Sequence, residues 1–171
     1  MQRAGRLNGR TCLIVGGTSG IGLAAARRFL QEGARVVVAG RSPQAGPSAI
    51  EQLTGLGPAW EHTLELGQGE SAVLRLFRFA LDALGGRLDI LLHVAGISGR
   101  KFGDGPLHDC ANEAWDLVMQ INACGVFLTN RAAVQLMLGQ PRDVWSARGL
   151  RELQNALLAA ARRGRRRGRR V

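Results

Sequence analysis

The feature that most constrains this chain is a glycine-rich stretch, in which the apolar run Leu13 to Val15 leads into Gly16, Gly20 and Gly22. The run is short and partly β-branched, as in a buried strand, and a helical pattern opens directly after the glycines. Glycines let a backbone turn tightly and approach a ligand, and the free N–H groups at a helix start attract an anion. The stretch therefore predicts a phosphate-binding turn and a nucleotide cofactor.

Strand-like and helix-like segments alternate over the first 139 residues. The pattern predicts strands at 11–15, 35–39, 59–66 and 88–95, and helices at 20–32, 48–56, 71–84 and 112–138. Such alternation is typical of right-handed βαβ units, which build a parallel sheet with helices on both faces. We therefore predict an α/β fold, a Rossmann-like doubly wound sheet truncated after about four strands and the long helix. Its dinucleotide crevice is expected at the carboxyl ends of the strands.

Composition indicates a globular domain, since 46% of the residues are hydrophobic. No apolar stretch approaches the roughly 20 residues that span a bilayer, and the run at 13–15 is too short for a signal-peptide core. The three cysteines and three histidines are scattered, without the spacing of a disulfide framework or a zinc site. We expect a cytoplasmic protein with no metal and no membrane partner.

The net charge of +10 is concentrated at the C-terminus. Residues 1–141 hold 13 Lys and Arg against 11 Asp and Glu, whereas residues 142–171 hold 10 Arg against two acids. We therefore divide the chain into a domain at 1–139 and an atypical Arg-rich tail at 140–171. The tail has no interleaved aromatic residues that could stack on bases, so only nonspecific attraction to polyanions such as nucleic acid is expected of it.

The tail also differs in character from the domain. Arginine outnumbers lysine by 22 to one in the whole chain, which indicates GC-rich coding DNA. Out-of-frame translation of such DNA yields Ala-, Arg- and Gly-rich segments. One hypothesis is that residues from about 140 onward are a frameshifted or truncated end of a longer protein; a genuine end is the alternative.

Three motifs in order resemble those of the short-chain dehydrogenase/reductase family over roughly residues 7–139. Its glycine motif, Thr-Gly-x-x-x-Gly-x-Gly, is matched from Val15 to Gly22, with Val15 in place of the threonine. Its Asn-Asn-Ala-Gly motif after the fourth strand appears as His-Val-Ala-Gly at 93–96, and its helix asparagine, which helps hold a proton-relay water, falls on Asn122. The resemblance implies hydride transfer between a nicotinamide dinucleotide and a small alcohol or carbonyl.

The family's remaining catalytic groups have no counterpart in this chain. The family uses a serine that orients the substrate and a Tyr-x-x-x-Lys pair that exchanges a proton with the substrate oxygen. This chain contains no tyrosine, its only lysine is Lys101, and its only serine beyond position 100 is Ser146. Asn122 is thus the one catalytic position carried over. We expect the chain as given to be inactive in the family's reaction.

The glycine turn and the resemblance together predict the cofactor-binding positions, which are Gly16, Thr18, Ser19, Gly20, Ile21, Gly22, Arg41, Glu65, Leu66, His93, Ala95 and Gly96. Ser19 is expected to cap the helix, to bind the ribose-phosphate, or both, and Ile21 to offer its N–H while its side chain packs inward. Glu65 and Leu66 are expected against the adenine, and His93 is expected to contribute its backbone. Trp115 and Phe127 are interpreted as core residues.

Arg41 bears on the choice between NADP and NAD. A carboxylate at the end of the second strand binds the adenosine ribose hydroxyls and favours NAD, whereas an arginine there accepts a 2′-phosphate. Gly40-Arg41-Ser42 lacks the acid and supplies the cation, so the sequence favours NADP. A solvated surface arginine is the alternative, because Gly-Arg also occurs in NAD-using relatives.

Three functions stay open from the sequence. The first is an oxidoreductase of this family, incomplete as given; the second is a non-catalytic dinucleotide-binding module; the third is polyanion binding through the Arg tail. A sheet that stops at the fourth strand leaves an apolar edge, which predicts marginal stability or poor solubility. Pairing of identical copies and the identity of the substrate are left open.

Overall fold

A single sheet of four parallel strands organises the molecule. The computed structural model describes residues 5–141, and the structural statements below concern those residues. The strands lie in the order β3-β2-β1-β4, with bounds β1 Thr11–Val15, β2 Arg35–Gly40, β3 Ala59–Thr63 and β4 Ile90–His93. Thr11 of β1 pairs with Arg35 of β2, and Cys12 pairs with Ile90 of β4. The predicted Rossmann-like fold is confirmed.

Five α-helices flank the sheet within residues 5–141. Their bounds are α1 Gly20–Gln31, α2 Ala45–Leu53, α3 Glu70–Leu84, α4 Asn112–Met119 and α5 Gly125–Gly139. Short 3₁₀ turns occupy Leu66–Gln68 and Gly99–Phe102. The single helix predicted at 112–138 is interrupted by a π turn at Gln120–Cys124. In a π turn the backbone hydrogen bonds span five residues, whereas those of an α-helix span four. No helix in this part of the chain is both long and apolar enough to cross a membrane.

Both faces of the sheet are covered, which explains why β1 and β2 are apolar after their first residues, Thr11 and Arg35. Leu13 and Val37 point to the face that α3 and α5 cover, where Leu76, Phe77 and Leu128 are buried. The alternating residues point to the other face and pack on α1 and α2; they are Cys12, Ile14, Val36 and Val38. Full burial of one such side chain stabilises the fold by about 1.5–3 kcal/mol.

The amino ends of β1 and β4 are joined by the carboxylate of Asp89, whose side chain is only 8% exposed. Its Oδ2 accepts hydrogen bonds from the Thr11 backbone N–H and from Thr11 Oγ1, each at 3.1 Å. Its Oδ1 accepts from Arg87 Nε at 2.7 Å and contacts the Arg10 guanidinium at 3.5 Å. This network lies at the edge of the sheet opposite to the loops that follow the strands.

Three predictions about packing are wrong. Ile21 was expected to point inward but is 81% exposed, because the buried side of α1 carries Gly22, Ala26 and Leu30. A Cβ atom at Gly22 would collide with the carbonyl of Gly16, so the side of α1 that carries Gly22 packs against the turn after β1. Ile21 therefore points away from that contact, toward solvent. Trp115 and Phe127, interpreted as core, are 59% and 57% exposed.

The domain assignment stays a prediction. The chain divides between Leu138 and Gly139, and only residues 139–141 of the second part fall within the described residues. Apart from residues 140 and 141, the Arg-rich tail predicted at 140–171 lies outside the part of the chain that the structure describes. Its contacts with polyanions and its origin by a frameshift therefore stay predictions.

Candidate dinucleotide site

A cleft of about 430 Å³ opens where the carboxyl ends of the strands meet. It is bounded by the loops that follow β1, β2 and β4, together with the segment after β3 and the π turn. Its lining residues are Val15, Gly16, Thr18, Ser19, Gly20, Ile21, Gly22, Ala39, Gly40, Arg41, Ser42, Ala45, Leu64, Glu65, Leu66, Val94, Ala95, Gly96, Ile97 and Ile121. The predicted cofactor residues all lie in this lining except His93.

Backbone contacts that exclude side chains shape the turn after β1. Gly16 has φ +87°, and a Cβ atom there would lie 2.6 Å from the backbone nitrogen of Ala95. Ala95 N in turn donates a hydrogen bond to Val15 O at 3.0 Å, which ties the loop after β4 to the end of β1. The backbones of two loops thus meet at the floor of the cleft, and only glycine fits at position 16.

The N-terminus of α1 faces the cleft through Gly20, Ile21 and Gly22. The first N–H groups of a helix have no partner within the helix, and the helix dipole favours negative charge there. Ser19 occupies the N-cap position, but its side chain makes no capping hydrogen bond. Of the two predicted roles of Ser19, side-chain capping is therefore wrong, and contact with a ligand stays a prediction.

The loop after β2 brings a cation and a hydroxyl to one side of the cleft, and Thr18 of the loop after β1 adds a second hydroxyl. Arg41 and Ser42 follow the last residue of β2, Gly40, and all three line the cleft. A Cβ atom at Gly40 would collide with the hydroxyl of Thr18, so that hydroxyl lies directly over the end of the strand. Among the lining residues the only carboxylate is that of Glu65, which comes from the segment after β3.

Glu65 and Leu66 stand at the start of the 3₁₀ turn after β3. The Glu65 carboxylate accepts a hydrogen bond from the backbone N–H of Gly67 at 3.4 Å and so caps this turn. Leu66 is buried, and its methyl groups lie close to Gly125 of α5. A Cβ atom added at Gly125 would lie 3.2 Å from Cδ1 of Leu66. The turn therefore places one polar and one apolar group at the same wall of the cleft.

The His93 side chain turns away from the cleft toward α5. Its Nδ1 lies 2.7 Å from Oγ1 of the buried Thr129. The Thr129 hydroxyl also lies within hydrogen-bond distance of the carbonyls of Gly125 and Val126, at 3.0 and 3.1 Å. Nε2 of His93 is buried without a hydrogen-bond partner among the described residues. Burial lowers the pKa of His93, while the backbone of Ala95 opposes that effect.

Asn122 lies in the π turn and does not line the cleft. Its Nδ2 donates to the carbonyl of Ile97 at 2.8 Å, and its Oδ1 accepts from the N–H of Ile97 at 2.9 Å. Ile97 and Ile121, the neighbour of Asn122, both contribute to the lining. The asparagine therefore fixes the loop after β4 against the π turn at the wall of the cleft.

Several lining residues were missed by reasoning from the sequence. Most stand at the ends of strands or one loop later, where the position of the crevice in a parallel sheet could have indicated them; they are Val15, Ala39, Gly40, Ser42, Ala45, Leu64, Val94 and Ile97. Ile121 gave no such signal, because a continuous helix was predicted across the π turn that presents it.

The sequence of this chain is similar to those of known short-chain dehydrogenases. The family model of short chain dehydrogenases matches residues 10–144. The chain is 31% identical over 139 residues to short chain dehydrogenase/reductase dpmpG of Macrophomina phaseolina, covering 81% of this chain and 78% of that protein. It is 32% identical to the NADP-dependent (R)-specific alcohol dehydrogenase of Lentilactobacillus kefiri, covering 77% of this chain and 50% of that protein.

This chain also superimposes on about half the length of solved structures. A short chain dehydrogenase from Mycobacterium smegmatis superimposes with a TM-score of 0.71 at 30% identity, covering 80% of this chain and 55% of that one. A variant of actinorhodin polyketide ketoreductase, solved with NADPH, gives 0.68 at 28% identity, covering 75% of this chain and 47% of that one. Apart from the Macrophomina protein, this chain spans about half the length of these relatives.

Proposed function

Because this chain belongs to the short-chain dehydrogenase family, whose members bind nicotinamide dinucleotides, we propose that its cleft binds NADP in preference to NAD. The observation that carries the proposal is the end of β2, where Arg41 and Ser42 line the cleft and the strand supplies no carboxylate. An arginine at this position accepts a 2′-phosphate, while an acid would bind the ribose hydroxyls of NAD. The related alcohol dehydrogenase from Lentilactobacillus kefiri is NADP-dependent, which supports the same choice.

The residues of the cleft fit such a ligand. A Cβ atom at Gly16 or Gly22 would collide with neighbouring backbone, so the turn packs closely on the start of α1, whose first N–H groups face the cleft and suit a pyrophosphate. Leu64 and Leu66 offer an apolar wall for the adenine ring, beside Arg41. Ala95 and Gly96 lie at the far side of the turn, where the nicotinamide half is expected.

Titration with NADPH and with NADH tests the preference. Arg41→Ala should weaken NADPH binding by roughly 10- to 150-fold, since a hydrogen bond to a charged group contributes about 1.5–3 kcal/mol. NADH binding should change little. Arg78→Ala, which removes an exposed arginine on α3 outside the cleft lining, is the control for net charge. Equal weakening of both cofactors by the Arg41 variant would contradict the assignment.

We further propose that the 171-residue chain binds the cofactor without catalysing hydride transfer. General acid–base catalysis contributes about 10²- to 10⁴-fold, and the chain has no tyrosine that could supply it. Lys101, the only lysine, is exposed on the 3₁₀ turn Gly99–Phe102 and does not line the cleft. The side chains of Asn122 and His93 are engaged with Ile97 and Thr129.

A turnover assay separates binding from catalysis. NADPH should bind with measurable affinity, while its absorbance stays constant over hours in the presence of a panel of ketones and aldehydes. Substrate-dependent loss of NADPH by the purified chain, abolished by Gly22→Ala, would show that another group supplies the proton. Absence of cofactor binding would instead overturn the first proposal.

A further inference from the structure

The segment from Gly5 to Arg10, which we call the N-terminal clasp, lies across the C-terminal end of α1. The N–H of Leu7 donates to Glu32 O at 2.9 Å, and the N–H of Gly9 donates to Gly33 O at 3.0 Å. The backbone N–H of Arg6 donates to the Glu32 carboxylate at 2.8 Å. These bonds fasten the clasp at the end of α1 opposite to the cleft.

The clasp contains the only Asn-Gly dipeptide of the chain, Asn8-Gly9, and both residues are exposed in a turn. The other four asparagines precede residues with side chains: Asn112 precedes glutamate, Asn122 and Asn155 precede alanine, and Asn130 precedes arginine. A following glycine has no side chain to hinder attack by its own backbone nitrogen on the asparagine amide. We propose that Asn8 is a site of spontaneous deamidation and that the clasp restrains this reaction while it is closed.

The reaction needs only water and a base. The Gly9 nitrogen loses its proton to solvent base and attacks Cγ of Asn8; a C–N bond forms, and the side-chain amide nitrogen leaves as ammonia. The resulting five-membered succinimide then takes up one water. Opening at the side-chain carbonyl gives aspartate at position 8, and opening at the main-chain carbonyl gives isoaspartate.

The closed clasp opposes the first step in two ways. The hydrogen bond to Gly33 O holds the proton that the Gly9 nitrogen must lose. Asn8 is also packed against Gly33, where an added Cβ would lie 3.0 Å from Asn8 Cα and 3.1 Å from its Oδ1. This contact restricts the movement of the side chain that brings Cγ to the Gly9 nitrogen. Deamidation therefore proceeds from the opened clasp.

The products weaken the contact that restrained the reaction. An aspartate at position 8 places a negative charge beside the C-terminal end of α1, where the helix dipole is also negative and Glu32 already carries a carboxylate. That carboxylate is charged, since the hydrogen bond from Arg6 lowers the pKa of Glu32. An isoaspartate adds a methylene group to the main chain and displaces the Gly9 N–H from Gly33 O.

Incubation of the full chain in mildly alkaline buffer, followed by peptide mapping, tests the proposal. Asn8 should convert several-fold faster than Asn112, Asn122 and Asn130, and faster still in denaturant. Glu32→Ala, which removes an anchor of the clasp, should accelerate the conversion, whereas Glu51→Ala, an exposed glutamate on α2, should not. The converted chain should melt at a lower temperature.

A second measurement on the unaltered chain covers the case in which Glu32→Ala does not fold. Hydrogen exchange at the Gly9 amide and deamidation at Asn8 should both rise with low concentrations of urea, because both require the same opening. Equal conversion of all five asparagines would overturn the site. Equal rates in the folded and unfolded chain would overturn the restraint by the clasp.

Discussion

Asn122 and Ile97 form a reciprocal pair, in which the side-chain amide of the asparagine bonds both the N–H and the carbonyl of the isoleucine at 2.9 and 2.8 Å. The pair joins the π turn to the loop after β4, and it does so beside the cleft. Asn122→Ala should leave both backbone groups to solvent and lower the unfolding free energy by about 1 kcal/mol. Because the wall of the cleft loosens, dinucleotide affinity should also fall several-fold.

Isothermal titration with NADPH and urea unfolding check this prediction together. Asn130→Ala is the matched control, since the Asn130 side chain donates only to Val126 within its own helix. Loss of stability without any change in affinity would contradict the role of the pair in shaping the cleft.

Gly22 should tolerate no side chain. A Cβ atom there would collide with the carbonyl of Gly16, so Gly22→Ala forces α1 away from the turn that it caps. Because the helix start and the turn form the proposed pyrophosphate site together, we expect loss of dinucleotide binding and a lower melting temperature. Gly105→Ala is the control, because a Cβ there meets nothing within 4 Å. Binding by Gly22→Ala at the affinity of the parent chain would refute this account of the cradle.

The sequence predicted the fold and most of the cleft because both depend on local patterns. The apolar run at 36–39 and the glycines after β1 indicate elements whose position in a parallel sheet follows from general rules. Gly33 directly follows the helix predicted at 20–32, and its φ of +88° in the left-handed region is typical of a glycine that ends a helix. Such features need no knowledge of distant contacts.

The rest depends on contacts between distant segments. The orientation of α1 is set by the approach of Gly22 to Gly16, which a helical stripe containing Ile21 does not reveal. The π turn lies where the Asn122 side chain binds the backbone of Ile97, 25 residues away in the sequence. The direction of the His93 side chain depends on a third such contact, between Nδ1 of His93 at the end of β4 and Oγ1 of Thr129 in α5, 36 residues later. The predictions of an inward-pointing Ile21 and of an unbroken helix at 112–138 failed for this reason.

Stability should fall on mild acidification because of His93. Burial holds its pKa below the ordinary value of 6.5, so the unfolded chain binds this proton more readily than the folded chain. The stabilisation is therefore complete above about pH 6.5 and is lost as the pH falls toward the folded-state pKa. His62 adds a contribution of the same sign, since burial also lowers its pKa.

Urea unfolding at a series of pH values between about 5.5 and 7.5 measures this slope. His93→Gln should flatten the slope in part, and His62→Gln should flatten it further, because each variant removes a histidine whose pKa burial lowers. An unfolding free energy that rises as the pH falls through this range would show that the sign is wrong.

The Asp89 network should contribute to stability and not directly to binding. Asp89→Asn removes the negative charge that accepts hydrogen bonds from Thr11 and Arg87 at the amino ends of β1 and β4. A hydrogen bond to a charged group contributes about 1.5–3 kcal/mol, so we expect a loss of unfolding free energy in that range. Asp82→Asn, an exposed aspartate on α3, is the control. Because the network lies at the opposite edge of the sheet from the cleft, NADPH affinity measured well below the melting temperature should stay within about twofold of the parent chain, a difference of less than about 0.5 kcal/mol.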